Sequence, residues 1–301
     1  MGTELALIDP SLRIGSARLA VADLSRSVDF YERVLGLALI SQDEDSAVLG
    51  ADRDRPALVL AQLDDATPAS PHSTGLFHLA WLHRSRAELA ATVRRVAAAR
   101  WSIHGASDHG VSEALYLTDP DGLGVEIYAD RPRERWERPA SGRGVKMVTL
   151  PLDLEDLMAH APADPEPAMA AGTLLGHVHL KVSDVPRAAA FYSDALGLQE
   201  QARLPSAAFL SAGGYHHHVG LNSWQSHRAS APSDSAPGLR LLEFELDPPD
   251  ALAALERRLA DGPEGQLSTQ REPERLEVSD PDGHRLAFIA RNGQAERRSS
   301  A

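Results

Sequence analysis

Apolar residues recur along this chain with either the two-residue period of a strand or the period of a helix. The same sequence of strand-like and helix-like segments occurs four times. Each time, a run in which apolar and polar residues alternate, typical of a half-buried strand, precedes an amphipathic run of helical period and then further alternating runs. The clearest copy is GSARLAVADLSRSVDFYERVLGL, which begins at Gly15, and GHVHLKVSDVPRAAAFYSDALGL, which begins at Gly176, matches it without a gap. Such a repeat predicts one supersecondary unit that is used several times.

The two matching copies also carry signals for the ends of their helices. Asp23 and Asp184 stand where an N-cap is expected, because an Asp side chain can accept a hydrogen bond from the free amide groups of the first turn. Gly36 and Gly197 stand in the LGL segment where a C-terminal cap is expected. We therefore expect a strand, a capped helix and then several strands in each copy.

Two further copies lack the FY pair but keep the order of elements. One begins at Gly75 with GLFHLAWLHRSRAELAATVRRVAAA, and its helix is expected after Ser85. The other begins at Gly238 with GLRLLEFELDPPDALAALERRLADG. Each ends in two strand-like runs joined by DPDG, at residues 119–122 and 280–283, as in a hairpin.

The chain is therefore divided into four units, each of strand, helix and three strands. The units cover residues 14–63, 75–130, 175–225 and 238–291. The predicted organisation is an N-terminal region 1–130, a linker 131–174 rich in Pro, Arg and acids, a C-terminal region 175–291, and a disordered tail 292–301.

The amino-acid composition limits the kinds of functional site and partner that the protein can have. The 301 residues contain no cysteine, so disulfides, thiolate ligands and thiol nucleophiles are excluded, and a metal would be held by histidine and carboxylate. The formal net charge of −13 repels phosphate backbones, so nucleic acid is not an expected partner. Because no apolar run approaches a membrane span and the start does not look like a signal peptide, we expect a cytoplasmic protein without membrane contact.

Four such units, punctuated by FY, LGL and DPDG, resemble the vicinal oxygen chelate superfamily, which includes glyoxalase I, bleomycin-resistance proteins and extradiol dioxygenases. The resemblance covers nearly all of the chain outside the linker and the ends. It implies an α+β fold in which βαβββ modules pair into two half-open barrel domains. The chain is most similar to the bacterial catechol 2,3-dioxygenase-like proteins that carry a GYHHH-type segment.

A more specific match lies in SDHGVSEALYLTDPDGLGVE, residues 107–126. It resembles the extradiol dioxygenase signature, with His109, Tyr116, the DPDG turn and Glu126 at the signature positions. Ser107 departs from the residues that the signature prefers, and His104 is a rival for the signature histidine. The resemblance implies that His109 and Tyr116 hydrogen-bond the oxygens of the substrate.

In that family, two histidines and one glutamate hold Fe(II), with the histidines on the first strands of paired units and the glutamate on a last strand. Carried over, unit two supplies His78 and Glu126, and unit three supplies His179. The matching positions elsewhere lack donors: Arg18 in unit one, Leu241 and Ala287 in unit four. Only a crossed pairing, of units two and three and of units one and four, completes a ligand set.

The segment GGYHHHVG, residues 213–220, is predicted to be part of the last strand of unit three. By resemblance, His217 acts as acid/base on the substrate and the bound oxygen. Because strand side chains alternate, His216 and His218 share the opposite face, and a shift by one residue would exchange the faces. His216, His218 and His177 therefore stay candidates for the acid/base or for a supporting role behind the ligands.

The resemblance implies a ring-cleaving dioxygenase that opens catechol or a substituted catechol with O2, using Fe(II), with Mn(II) as the alternative metal. Small aromatic diols and O2 are the expected partners, and homo-oligomerisation is left open. Two other functions of the same fold are alternatives. A glyoxalase-like isomerase or lyase would need two carboxylates with His or Gln, and a non-catalytic binding or resistance protein would need no ligand set.

Overall fold

Two mixed β-sheets form the frame of the protein. The structure, a computed structural model, describes residues 7–163, 166–247, 250–261 and 270–291. The first half of the chain contains β1 (Arg13–Val21), α1 (Leu24–Asp29), β2 (Ala38–Gln42), β3 (Ser46–Gly50), β4 (Leu58–Gln62), β5 (Gly75–His83), α2 (Arg86–Ala98), β6 (Gly105–Asp108), β7 (Ser112–Thr118) and β8 (Gly124–Asp130). The second half contains β9 (Leu150–Pro151), α3 (Leu154–Ala159), β10 (Leu174–Lys181), α4 (Val185–Ala190), β11 (Gln199–Leu204), β12 (Ala207–Ser211), β13 (Val219–Asn222), β14 (Gly238–Leu246), α5 (Ala251–Asp261), β15 (Gln270–Glu272), β16 (Arg275–Ser279) and β17 (Arg285–Ala290).

The order of strands in the sheets confirms the crossed pairing. One sheet runs β15-β16-β17-β14-β1-β4-β3-β2 and therefore combines units four and one; we call it the outer-unit sheet. The other runs β11-β12-β13-β10-β5-β8-β7-β6-β9 and combines units three and two; we call it the inner-unit sheet. In each sheet the first strands of the two units pair antiparallel at the centre, β1 with β14 and β5 with β10. The regions 1–130 and 175–291 thus each contribute one unit to each half-open barrel.

The helix caps form as the repeat predicts. The side chains of Asp23, Ser85 and Asp184 accept hydrogen bonds from the amide groups of Arg26, Glu88 and Arg187, respectively. The FY segments differ from the expectation of one continuous α-helix, because α1 and α4 each continue as a π-helical turn, Phe30–Val34 and Phe191–Ala195. Each turn ends just before a glycine of positive φ, 83° at Gly36 and 87° at Gly197.

The FY and DPDG motifs hold consecutive units together. The Tyr31 hydroxyl donates a hydrogen bond to Asp119 in the hairpin turn of unit two at 3.2 Å. The Tyr192 hydroxyl makes the same contact with Asp280 of unit four, also at 3.2 Å. All four groups are buried, so these bonds satisfy polar atoms that would otherwise be costly to bury. Units one and two, and likewise units three and four, lie in different sheets but contact each other through these bonds.

The predicted linker contributes to the inner-unit sheet. Within residues 131–163, β9 pairs with β6, and α3 begins after Asp153, whose side chain caps it. The Val148 amide also donates to the His109 carbonyl at 3.2 Å. Part of the segment between units two and three therefore packs against the inner-unit sheet and is not a simple linker between two domains.

The helices of the described residues are short. The longest, α2, has 13 residues, and none in this part of the chain is long and apolar enough to span a bilayer. The predicted disordered tail, residues 292–301, lies outside the described residues.

Candidate functional site

Three neighbouring strands of the inner-unit sheet bring together the side chains of a metal-type cluster. His78 lies on β5, Glu126 on β8 and His177 on β10. Ala80 of β5 is in register with Glu126 on one side and with His177 on the other. Because Ala80 has a small side chain, the longer side chains of its two neighbours can meet above it.

The donor atoms of this cluster converge on one carboxylate oxygen. His78 Nε2 lies 2.9 Å from Glu126 Oε2, and His177 Nε2 lies 3.2 Å from the same atom. One donor atom from each of the three residues lies within 4.8 Å of the others. Their exposed fractions are only 5%, 3% and 1% for His78, Glu126 and His177, so water does not solvate this arrangement well.

Electrostatics favours an ionised Glu126 beside a neutral His177. Burial works against ionisation of Glu126, but His177 and His78 outweigh it and hold the pKa of this carboxyl well below its usual range. Burial lowers the pKa of His177 to about 4, against the opposing influence of Glu126. A deprotonated carboxylate and an unprotonated imidazole are the states that a metal ion requires.

The residues present fit a divalent transition metal. His78 Nε2 and Nδ1 are buried without a hydrogen-bond partner among the described residues, although Nε2 is close to Glu126. Two donor atoms that lie near each other without being aligned for a hydrogen bond are arranged as ligands of a common ion would be. Two imidazoles and one carboxylate are the facial triad of non-haem Fe(II) oxygenases.

His179, the predicted third ligand, lies beside this cluster. It is the direct cross-strand partner of His78, and the two ring centroids are 5.0 Å apart. Its Nε2 is buried and has no hydrogen-bond partner in the described structure, and burial, with His78 and His177 nearby, holds its pKa well below the usual value. The group of three donor atoms within 4.8 Å contains His177 and not His179.

One signal in the sequence distinguishes the two histidines. His78 stands seven residues before the N-cap Ser85, and His177 stands seven residues before the N-cap Asp184. The two therefore occupy equivalent places in their units, whereas His179 is equivalent to Ala80. Aligning the units on their helix caps would therefore have added His177 to the candidate ligands.

A cavity of about 700 Å³ opens beside the cluster. Its walls combine His78 and Glu126 of the cluster, but not His177, with His179, with aromatic and aliphatic side chains and with part of the predicted linker. The lining includes Phe77, His78, His104, His109, Tyr116, Glu126, Met147, Val148, Thr149, His179, Lys181, Phe209, His217 and Trp224. The linker residues on this wall and Phe209 were not identified from the sequence, because neither carries a motif.

His109 and Tyr116 are joined at this cavity. His109 Nδ1 donates to the Val148 carbonyl oxygen at 2.7 Å, because a carbonyl can only accept. The other nitrogen of a neutral His109, Nε2, then accepts from the Tyr116 hydroxyl at 2.6 Å. His104, the rival signature histidine, also lines the cavity, but its Nε2 is 3.3 Å from the Thr118 hydroxyl.

The hydroxyl of Tyr116 is held in its neutral form. Burial raises the pKa of Tyr116 well above its usual value, and the neighbouring Glu126 carboxylate raises it further. Tyr116 and Glu126 are in register on β7 and β8, which explains their proximity. The hydroxyl can thus donate to His109 while its oxygen keeps lone pairs for a ligand in the cavity.

The three consecutive histidines do not lie on a strand, contrary to expectation. They occupy the connection between β12, which ends at Ser211, and β13, which begins at Val219. Strand alternation therefore does not determine where they point. His217 lines the cavity, whereas His216 contacts Asp130 and His218 accepts a hydrogen bond from the Ala212 amide at 3.2 Å.

Close backbone approach at β8 depends on a glycine. A Cβ atom at Gly124 would be 2.0 Å from the Phe77 carbonyl oxygen and 2.9 Å from the His78 Cβ. Any side chain at this position would push β5 and β8 apart beside His78. The glycine two residues before Glu126 thus allows the two strands to place their donors together.

The equivalent place in the outer-unit sheet carries no such cluster. Arg18 is in register with Leu241, and Ala287 with Glu243, so the three predicted ligand positions offer no donor set. Glu243 instead forms an ion pair with Arg275 at 2.8 Å. Only the inner-unit sheet, among the described residues, combines the three donors.

Comparisons with known proteins agree with this architecture. The model of the "Glyoxalase/Bleomycin resistance protein/Dioxygenase superfamily" matches residues 13–127 and 174–288. A protein of Bacillus subtilis (strain 168) named catechol-2,3-dioxygenase is 42% identical over 235 residues, which are 77% of this chain and 82% of that protein.

Solved structures with the same fold include proteins of low sequence identity. A protein of Bacillus subtilis subsp. subtilis str. 168, described only provisionally as a dioxygenase, is 12% identical with a TM-score of 0.64, covering 94% of this chain and 86% of that one. Glyoxalase I from Zea mays is 17% identical with a TM-score of 0.56, covering 93% and 92%. These two similarities concern the fold alone.

Proposed function

Because this chain belongs to the glyoxalase/bleomycin resistance/dioxygenase superfamily, we propose that it is a metal-dependent extradiol dioxygenase that opens the ring of catechol or a substituted catechol with O2. The observation that carries the proposal is the cluster of His78, His177 and Glu126, of which His78 and Glu126 line a cavity of about 700 Å³. The name of the 42% identical relative supports the same reaction class.

The proposed metal is Fe(II), with Mn(II) as the alternative, held by His78 Nε2, His177 Nε2 and the Glu126 carboxylate. His177 thereby takes the place that the sequence assigned to His179. When bound, the metal supplies the redox chemistry that allows O2 to react with a catecholate beside it.

The protein residues around the cluster bind and orient the substrate and move its proton. His217 faces the cavity and takes a proton from a catechol hydroxyl at its ring nitrogen, then returns it later in the reaction. The Tyr116 oxygen accepts a hydrogen bond from the other hydroxyl, with His109 fixing the direction of the Tyr116 proton. Phe77, Phe209 and Trp224 provide apolar surface for the ring and keep water from it.

The ligand chemistry favours this reaction over an isomerase of the same fold. A glyoxalase-type site generally uses two carboxylates with His or Gln, and Glu126 is the one carboxylate among the cavity-lining residues. His179 gives this end of the cavity one more imidazole rather than a second acid. The crowding of neutral histidines supports a site that holds a metal beside an aromatic diol.

The test is a loading and turnover experiment. The protein is loaded with Fe(II) under argon and mixed with air-saturated catechol, 3-methylcatechol and 4-methylcatechol while oxygen uptake and the yellow colour of a ring-opened semialdehyde are followed. We expect one O2 consumed per catechol opened with at least one of these substrates. Bound iron without turnover of any catechol would refute the proposal. A cytoplasmic location remains a prediction from the sequence, and the oligomeric state stays open.

A further inference from the structure

A chain of hydrogen bonds leads from the cavity wall to a carboxylate at the end of β8. His217 Nδ1 lies 2.8 Å from His216 Nδ1, and His216 Nε2 lies 2.9 Å from Asp130 Oδ1. Tyr215 donates its hydroxyl proton to the same Asp130 oxygen at 3.3 Å. His217 is the member of this chain that lines the cavity.

The partners in this chain determine where each proton resides. A carboxylate only accepts, so the proton between His216 and Asp130 is on His216 Nε2. With that proton at Nε2, His216 offers the lone pair of Nδ1, and His217 fills the 2.8 Å contact by donating from its own Nδ1. Neutral His217 is thereby left with an unprotonated Nε2.

Packing fixes the ring of the middle histidine. The His216 side chain is fully buried, and its ring centroid is 4.0 Å from that of Tyr215 and 5.4 Å from that of Trp136. Tyr215 is itself held, because its hydroxyl is 2.8 Å from that of Tyr128. A ring enclosed in this way cannot rotate to exchange its two nitrogens without displacing its neighbours.

We propose that Asp130 and His216 are positioning residues that keep His217 in the tautomer with a free Nε2, the form that accepts a proton in the cavity. The role of that proton acceptor rests on the function proposed above. There, the O–H bond of the catechol breaks, the electron pair stays on the oxygen, and the proton forms a new bond with His217 Nε2. Fixing the tautomer beforehand removes a rearrangement from this step.

The third histidine of the run provides a matched control. His218 is buried like His216, but its Nδ1 accepts from the Ala212 amide, and within the described residues it makes no hydrogen bond to His217 or Asp130. Replacing His218 with Phe leaves the buried Ala212 amide unsatisfied and should lower stability. It removes a histidine of the same loop while keeping the positioning chain.

The tautomer can be observed without turnover. The full-length protein is labelled with 15N-histidine, and long-range 1H–15N correlations identify the protonated nitrogen of His217, with and without Zn(II) as a diamagnetic metal. We expect Nδ1–H in the wild type and in His218→Phe, and a mixture of both tautomers in His216→Phe. His216→Asn, which keeps an acceptor near the Nδ1 position, should restore Nδ1–H. An Nε2–H tautomer in the wild type, or an unchanged spectrum in His216→Phe, would overturn the proposal.

A kinetic arm separates this inference from the proposed function. With iron-loaded protein and catechol, His216→Phe and Asp130→Ala should lower kcat by about 10–100-fold, the usual cost of losing an outer partner, with KM little changed. An effect confined to KM would contradict the positioning role. If the wild type turns over no catechol while the spectrum shows His217 with Nδ1–H, the proposed function fails and the positioning chain stands.

Discussion

His177 and Glu126 are 51 residues apart and belong to different units, yet His177 Nε2 lies 3.2 Å from Glu126 Oε2. The contact exists because β10 and β8 both flank β5 in the inner-unit sheet. Neither sequential pairing of the units would produce it. The candidate metal site is therefore a product of the crossed pairing.

The first prediction concerns which histidine binds the metal. His177→Ala removes a donor from the cluster and should weaken Fe(II) binding by more than about 100-fold, since even the loss of an outer partner costs about 10–100-fold. His179→Ala keeps the three donors and should change the affinity less than about tenfold. Titration with a competing chelator under argon measures both.

Arg18→Ala serves as the control for these two variants. Arg18 lies on β1 of the outer-unit sheet, opposite Leu241, and should not affect metal binding. If His177→Ala keeps the metal and His179→Ala loses it, the prediction is wrong. The ligands would then be His78, His179 and Glu126, as the sequence predicts.

The second prediction concerns the histidine that supports Tyr116. His109→Leu removes the acceptor of the Tyr116 hydroxyl and should lower kcat about tenfold, equivalent to about 1.4 kcal/mol. Tyr116→Phe should cost a similar factor, and the double variant little more, because both changes break one 2.6 Å bond. Steady-state kinetics of the iron-loaded variants with a single catechol tests this. His104→Leu, which removes the contact with Thr118, should reduce kcat much less, and equal losses for both histidines would contradict the assignment.

The third prediction concerns the backbone before His177. A Cβ at Gly176 would be 2.0 Å from the Tyr128 hydroxyl oxygen, so Gly176→Ala should lower the free energy of unfolding by about 1–3 kcal/mol. Removing that hydroxyl with Tyr128→Phe should recover part of the loss in a double-mutant cycle. Urea denaturation gives the four values. Gly105→Ala, where the nearest atom is 3.8 Å away, is the control, and an equal loss there would point to a general glycine effect.

The fourth prediction is a pH dependence of stability. Burial lowers the pKa of His83 from 6.5 to about 4, while Nε2 contacts the Thr92 hydroxyl at 2.9 Å. The unfolded chain therefore binds this proton at higher pH than the folded one, and the stability from neutral His83 is complete above pH 6.5. It should be lost progressively as the pH falls from 6.5 to 4, by roughly 3 kcal/mol in total. Denaturation curves across this range should be less pH-dependent in His83→Gln than in the wild type; identical slopes would contradict the prediction.

Much of the fold followed from the repeat, because caps, turns and periods are local features. Gly36 and the DPDG turns lie where the pattern predicted them, and the survival of donors in units two and three identified the crossed pairing. The pairing could be inferred because a ligand set must be complete to hold a metal. The outer-unit sheet has no such ligand set, and its carboxylate Glu243 forms an ion pair with Arg275.

The details of the site depended on tertiary contacts. His179 and His177 are each equivalent to His78 in the sequence, His179 by its distance from the start of the repeat and His177 by its distance from the helix cap, so the sequence alone does not choose between them. It could not place His217, since the loop 212–218 is not a strand, nor identify Asp130, which meets His216 across 86 residues. The role of Val148 could not be predicted either, because nothing in the sequence of the proline-rich linker indicates that the Val148 carbonyl accepts a hydrogen bond from His109.

We propose that the cluster of His78, His177 and Glu126 supports extradiol cleavage of a catechol. The most direct measurement is mass spectrometry of the product after Fe(II)-loaded protein reacts with catechol under 18O2. We predict a ring opened beside the diol that carries both 18O atoms. A product opened between the two hydroxyls, or no incorporation of 18O despite bound iron, would contradict the account.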